Sequence, residues 1–132
     1  MAYITDRTEL DVIMGTSKGN YGAADLNRVE FGVGRISDTL GLGLSVKTDW
    51  MAPGDYDPNA WPVESQMARY LENIRSIQMV FGLGFIRLPA SMDRLTYVTA
   101  NNIERILSRA EQLTDGILST YRYSGELIAG EE

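Results

Sequence analysis

The chain has no histidine and no cysteine. Ser-His-Asp and Cys-His catalysis are therefore excluded, as are thiolate or imidazole zinc sites and disulfides. A carboxylate-only calcium or magnesium site stays chemically open, but no D-x-D-x-D-G loop of the EF-hand kind occurs. Basic residues are also scarce: 12 Lys and Arg stand against 18 Asp and Glu, for a net charge of −6. They are scattered and form no basic stripe, whereas a nucleic-acid binder needs clustered cations to displace phosphate counterions. No nucleic-acid partner is expected. No apolar run reaches the roughly 18 residues of a membrane span. The opening MAYITDRTELD is charged by its sixth residue, so no signal peptide is expected.

What is present is apolar residues at a helical period. With 132 residues, 44% of them hydrophobic, the chain fits one domain over 1–132, burying roughly two-thirds of its surface. Leu26, Val29, Val33, Ile36 and Leu40 are spaced 3-4-3-4. Met67, Tyr70, Ile74, Ile77 and Phe81 repeat that spacing, with Leu71 widening the stripe, and so do Ile103, Ile106, Ala110, Leu113 and Ile117. Each stripe marks an amphipathic helix that packs on neighbours. The expected fold is mainly α: a three-helix bundle with helices at about 22–41, 63–81 and 97–118, short extended segments and a C-terminal β-strand.

Boundary residues agree with these ranges. Gly41 and Gly43 follow the first stripe, and Gly82 and Gly84 the second, where a left-handed C-terminal residue is wanted. Pro62 suits the first position of the second helix. Thr96 is a candidate N-cap of the third, with Thr99 competing. A short leading helix over 5–13 has Thr5 or Asp6 as its cap. Residues 44–50 and 85–88 read as extended, and 91–95 as a loop or single turn.

Candidate sites are few, and each has a bland explanation beside it. Asp55 and Asp57, near Asp49, resemble paired catalytic carboxylates, yet Pro-Gly-Asp and Asp-Pro are ordinary turn formers. Trp50, Tyr56 and Trp61 surround this acidic loop; aromatics so placed either stack on sugar rings or pin the loop to the core. FGLGF at 81–85 follows a helix instead of opening one, so it offers no phosphate cradle. Asn101, Asn102 and Glu104 read as capping and helix-dipole residues. Gly32 and Gly34 interrupt the first helix, either as tolerated weak points or as a place where another backbone comes close. Nothing assembles a nucleophile, a base and an oxyanion donor, so the chain is expected to be no enzyme and to need no cofactor or metal. In 121–127, Tyr121, Tyr123 and Leu127 alternate with Arg122, Ser124 and Glu126. That pattern suits a strand with one buried side, seeking an edge within the chain or in another subunit.

Several stretches carry a resemblance: ITDRT at 4–8, ADLNRVE at 24–30, VKTDW at 46–50, QMARYLENI at 66–74, LPASMDRLTY at 88–97, ANNIERIL at 100–107 and YSGEL at 123–127. Together they span nearly the whole chain in order. The sequence resembles small structural proteins of the tail or baseplate region in phages and prophages of Gram-positive bacteria. The resemblance implies a virion component made in the bacterial cytoplasm, homo-oligomeric and bound to other virion proteins. The expected assembly residues are Tyr121, Tyr123 and Leu127, then Gly32 and Gly34. A receptor- or carbohydrate-binding module at a tail-fibre tip, using Trp50, Tyr56 and Trp61, is the alternative.

Overall fold

The computed structural model describes residues 3–19, 21–46 and 64–131. The chain is mainly helical. Its helices are α1 (Glu9–Met14), α2 (Ala23–Leu40), α3 (Glu64–Phe81) and α4 (Tyr97–Glu131), with single 3-10 turns at Ser17–Gly19 and Met92–Arg94. No strand occurs among the described residues.

The three apolar stripes meet in one core. Val29, Val33 and Ile36 of α2, Leu71, Ile74 and Ile77 of α3, and Ile103, Ile106 and Ala110 of α4 are all buried together. Each such side chain contributes about 1.5–3 kcal/mol by leaving water. The stripes end unevenly. Leu40, Met67 and Phe81 are only partly buried at the margins, and Ile117 is 51% exposed.

Glycine closes α2 and α3 as the sequence suggests. Gly41 and Gly82 have φ of 68° and 66°, in the left-handed region where a side chain would be strained. The amide after each reaches back to the last helical turn, Leu42 N to the Ser37 carbonyl and Leu83 N to the Gln78 carbonyl, both at 2.9 Å. Both threonines expected at the start of α4 contribute to its cap. Thr96 N donates to Thr99 Oγ1 at 2.9 Å, and Thr99 N donates to Thr96 Oγ1 at 3.2 Å.

Several expectations are corrected. The cap of α1 is Thr8, not Thr5 or Asp6: Thr8 Oγ1 accepts from Asp11 N at 3.2 Å while Asp11 Oδ2 accepts from Thr8 N at 3.0 Å. This reciprocal pair outcompetes an earlier start. Residues 85–88 run through turns and irregular backbone instead of a strand, and Gln78 Nε2 satisfies the Leu83 and Ile86 carbonyls at 3.2 and 2.7 Å. The expected C-terminal strand is absent, because α4 continues unbroken through Glu131. Residues 44–46 are irregular, and the rest of the extended piece expected over 44–50 lies outside the described residues.

Pairings along α2 and α4 show that they run parallel. Arg28 of α2 meets Glu104 of α4, Gly32 lies at Leu107, and Arg35 lies 3.5 Å from Glu111. Thr39 and Leu118 then line a small cavity of about 90 Å³. Since α2 stops at Leu40, α4 runs on beyond it.

Candidate functional site

The polar groups of this fold are concentrated where the N-terminal segment enters between α2 and α4. Arg7 is 4% exposed and Glu104 is fully buried. Every N–H of the Arg7 guanidinium has an acceptor. Nε donates to the Lys18 carbonyl at 3.1 Å, and Nη1 donates to the Ile4 carbonyl at 2.9 Å and to Asn101 Oδ1 at 3.4 Å. Nη2 donates to Asp25 Oδ1 at 3.1 Å and to Glu104 Oε2. The guanidinium also lies over the Tyr21 ring, 5.3 Å from its centre.

Glu104 is saturated in turn. Its Oε1 accepts from Ile4 N at 3.1 Å and Arg28 Nε at 2.5 Å, and its Oε2 accepts from Arg7 and from Arg28 Nη2 at 2.9 Å. Asp25 completes the cluster, bound by both arginines and by Gly22 N at 2.8 Å. Asn101 clasps the backbone of Arg7: its Oδ1 accepts from Arg7 N at 2.9 Å and its Nδ2 donates to Arg7 O at 3.0 Å. Two cations and two carboxylates thus cancel in charge, and Arg7 and Glu104 have their hydrogen-bonding capacity filled, which is how buried ions are tolerated. Hydrogen bonds to Glu104 and then Asp25 hold the Arg28 guanidinium even more firmly protonated than usual.

Asn101 and Glu104 were expected to serve the start of α4; they fasten the N-terminal segment instead. Arg7, Asp25 and Arg28 carried no functional expectation. One signal pointed to them: Asp25 beside Leu26, and Glu104 beside Ile103, set charge next to the apolar stripe of each helix.

Gly32 sits beneath the other anchor of this segment. Tyr3 donates to Glu111 Oε1 at 2.8 Å, and a methyl group on Gly32 would lie 2.1 Å from the Tyr3 hydroxyl. The close approach expected here is made by a side chain of the same chain. A methyl group on Gly34 would lie at an ordinary 3.5 Å from Val46. Gly32→Ala is expected to cost about 1–3 kcal/mol by displacing Tyr3, against roughly 1 kcal/mol of helix propensity gained. Combined with Tyr3→Ala, the same substitution is expected to gain up to about 1 kcal/mol, as is Gly34→Ala alone. Thermal melts of the four variants decide; an equal loss from Gly32→Ala with and without Tyr3 would exclude the contact as the cause.

Apolar surface is the other notable feature. No residue of α1 is buried, and Leu10, Ile13 and Met14 are each at least 65% exposed. Val12 and Ile13 border a groove of about 510 Å³ that continues past Tyr21 to Leu95 and Tyr97. Tyr121, Tyr123 and Leu127 all lie on the helical backbone of α4. At helical spacing, positions 123 and 127 lie about 40° apart and position 121 stands about 120° or more from both, whereas a strand would align all three. Trp50, Tyr56 and Trp61, with Asp55 and Asp57, lie outside the described residues. Among the described residues no helix is long and apolar enough to cross a membrane, and no group of three Asp or Glu could hold a metal ion. Comparison with protein-family models, with curated proteins and with solved structures finds no match.

Proposed function

We propose that this chain is a non-enzymatic structural protein of a phage tail or baseplate region, acting by self-assembly or by binding other virion proteins. The single observation that carries the assembly part is an exposed stretch of α4: residues 115–119, which follow buried Thr114, are all exposed, and the helical backbone continues to Glu131. Helical stability comes mostly from packing of an apolar face, so this stretch has the form of an element completed by association. The phage assignment is supported by the ordered resemblance from ITDRT to YSGEL. A three-helix bundle of α2, α3 and α4 is the finer description of the fold under this reading, and α1 offers it a second apolar face. The location is the virion.

Disrupting the coding sequence in its parent genome is expected to give particles with defective tails or baseplates in electron micrographs. The full chain should restore them, and a chain lacking residues 121–132 should not, although its core still melts cooperatively. Normal infective particles from the disrupted genome would refute the virion assignment.

A further inference from the structure

The N-terminal segment inverts the usual placing of charge and apolar surface. Arg7 is buried, whereas Leu10, Ile13 and Met14 of α1 are each at least 65% exposed. A buried ion cluster adds little stability over an apolar core; what this one does is hold the segment that carries α1. The short helix is braced as well as exposed. Thr8 and Asp11 cap its start and Gly15 closes it at φ 66°. Gly19 packs so closely on it that a methyl group there would lie 2.3 Å from the Asp11 carbonyl oxygen. The result is an apolar knob edged by Asp6, Glu9 and Asp11, against which stands Lys18, bound to Asp6 at 2.8 Å.

A second exposed surface has the opposite sign. Arg7, Arg28, Arg35, Arg69 and Arg75 each pair with a carboxylate, whereas among the described residues Arg87, Arg105 and Arg109 pair with none. The sequence scatters these three, and the fold gathers them. Asn102 Nδ2 donates to the Arg87 carbonyl at 2.9 Å, and Asn102 Oδ1 accepts from Arg105 Nη1 at 2.9 Å. Positions 98, 102, 105 and 109 share one side of α4. Val98 on that side is 49% exposed, and Phe85, which with Arg87 flanks buried Ile86, is 79% exposed.

We propose that the occupant of this arginine-edged surface is α1 of a second copy. Apolar side chains edged by carboxylates would meet apolar side chains edged by arginines that lack them, and such complementarity steers and registers two surfaces. Either surface paired with itself would bring like charges together. The two surfaces share no residue, and the groove beside α1 is lined by neither Phe85 nor the three arginines. Each copy therefore gives α1 on one side and receives α1 on another. That contact is head-to-tail, and it closes a ring or propagates as a filament according to the rotation between copies. Both faces are only a few side chains wide, so a single contact is expected to be weak, roughly micromolar or looser.

This inference rests on the reading that the chain works by assembly, not on the identity of the assembly. Sedimentation of the full chain is expected to show association that grows with concentration beyond a dimer and weakens about tenfold in roughly 0.5 M salt. Leu10→Asp with Ile13→Asp removes the knob, and Arg105→Glu with Arg109→Glu reverses the receiving surface. All four side chains are exposed, so each double variant should melt like the unmodified chain yet sediment as a monomer. Mixed, the two should form a 1:1 dimer and nothing larger, because each supplies the surface that the other lacks. An unmodified chain still monomeric at about 1 mM, or a mixture that stays monomeric, would overturn the proposal. Should the α1 variant fail to fold, the arginine variant decides alone, and undiminished association would overturn it. A monomeric chain whose disruption still leaves particles defective would sink the head-to-tail contact alone. Head-to-tail association beside normal particles from the disrupted genome would sink the virion reading alone.

Discussion

Glu104→Ala is expected to destabilise the fold by about 3–5 kcal/mol, the usual cost of removing one member of a buried ion cluster. The methyl group leaves Arg7 Nη2, both Arg28 contacts and the Ile4 amide facing a space too apolar to solvate them. Glu104→Gln should fare little better, because its amide would turn N–H groups toward arginine N–H groups. Arg28 is 19% exposed in its side chain, so Arg28→Gln can recruit water and should cost only about 1–2 kcal/mol. Paired replacement tests whether the cluster acts as a unit. Arg7→Met with Glu104→Leu leaves the Arg28–Asp25 pair intact, and should cost less than the two single changes summed, by about 1–3 kcal/mol. Denaturant midpoints at constant m-value give the comparison. Should Glu104→Ala fail to fold, Arg28→Gln and the double variant still decide it. Additive losses, or a Glu104→Ala penalty below about 1 kcal/mol, would mean that the cluster holds nothing together.

The same cluster explains what was legible in the residues and what was not. The three stripes were legible because burial selects apolar residues at a helical period, and Val29, Ile74 and Ile103 lie on those stripes fully buried. Glycine at 41 and 82 was legible because only the left-handed region closes a helix in that way. The inward direction of Arg7 and Glu104 was not legible, since charge ordinarily marks solvent. Their burial depends on partners about a hundred positions apart, such as Ile4 with Glu104, which local spacing does not encode. The tail failed for another reason. Over six or seven residues a period of two and a period of 3.6 overlap, and the aromatic residues Tyr121 and Tyr123 favour strand. Continuity with Ile106, Ala110, Leu113 and Ile117 was the better guide. It was obscured because polar Thr120 and Ser124 interrupt the apolar spacing.

The second large effect is alkaline. Tyr21 and Tyr70 bond each other through their hydroxyls beside the ion cluster, and Tyr70 is only 1% exposed. Burial pushes the ionisation of both phenols well above the ordinary range for tyrosine; for Tyr70, Tyr21 adds to the shift. Tyr3 is raised in the same direction, first by burial and then by its bond to Glu111. The sign follows from proton counts. Above about pH 10 the unfolded chain releases these protons while the folded chain keeps them, so stability falls as pH rises. Each such tyrosine removes about 1.4 kcal/mol per pH unit between its unfolded and folded ionisation points. For Tyr21 and Tyr70 together the slope is roughly 3 kcal/mol per unit, enough to exhaust a typical domain within a few units. Far-ultraviolet circular dichroism and phenolate absorbance are expected to change together in a cooperative step well above pH 10. Tyr70→Phe separates this account from general alkaline damage. It should lose about 1 kcal/mol at neutral pH with the hydrogen bond, yet decline less steeply above pH 10, so that its stability gap to the unmodified chain narrows. A constant gap across the alkaline range would show that Tyr70 ionises as freely in the fold as out of it.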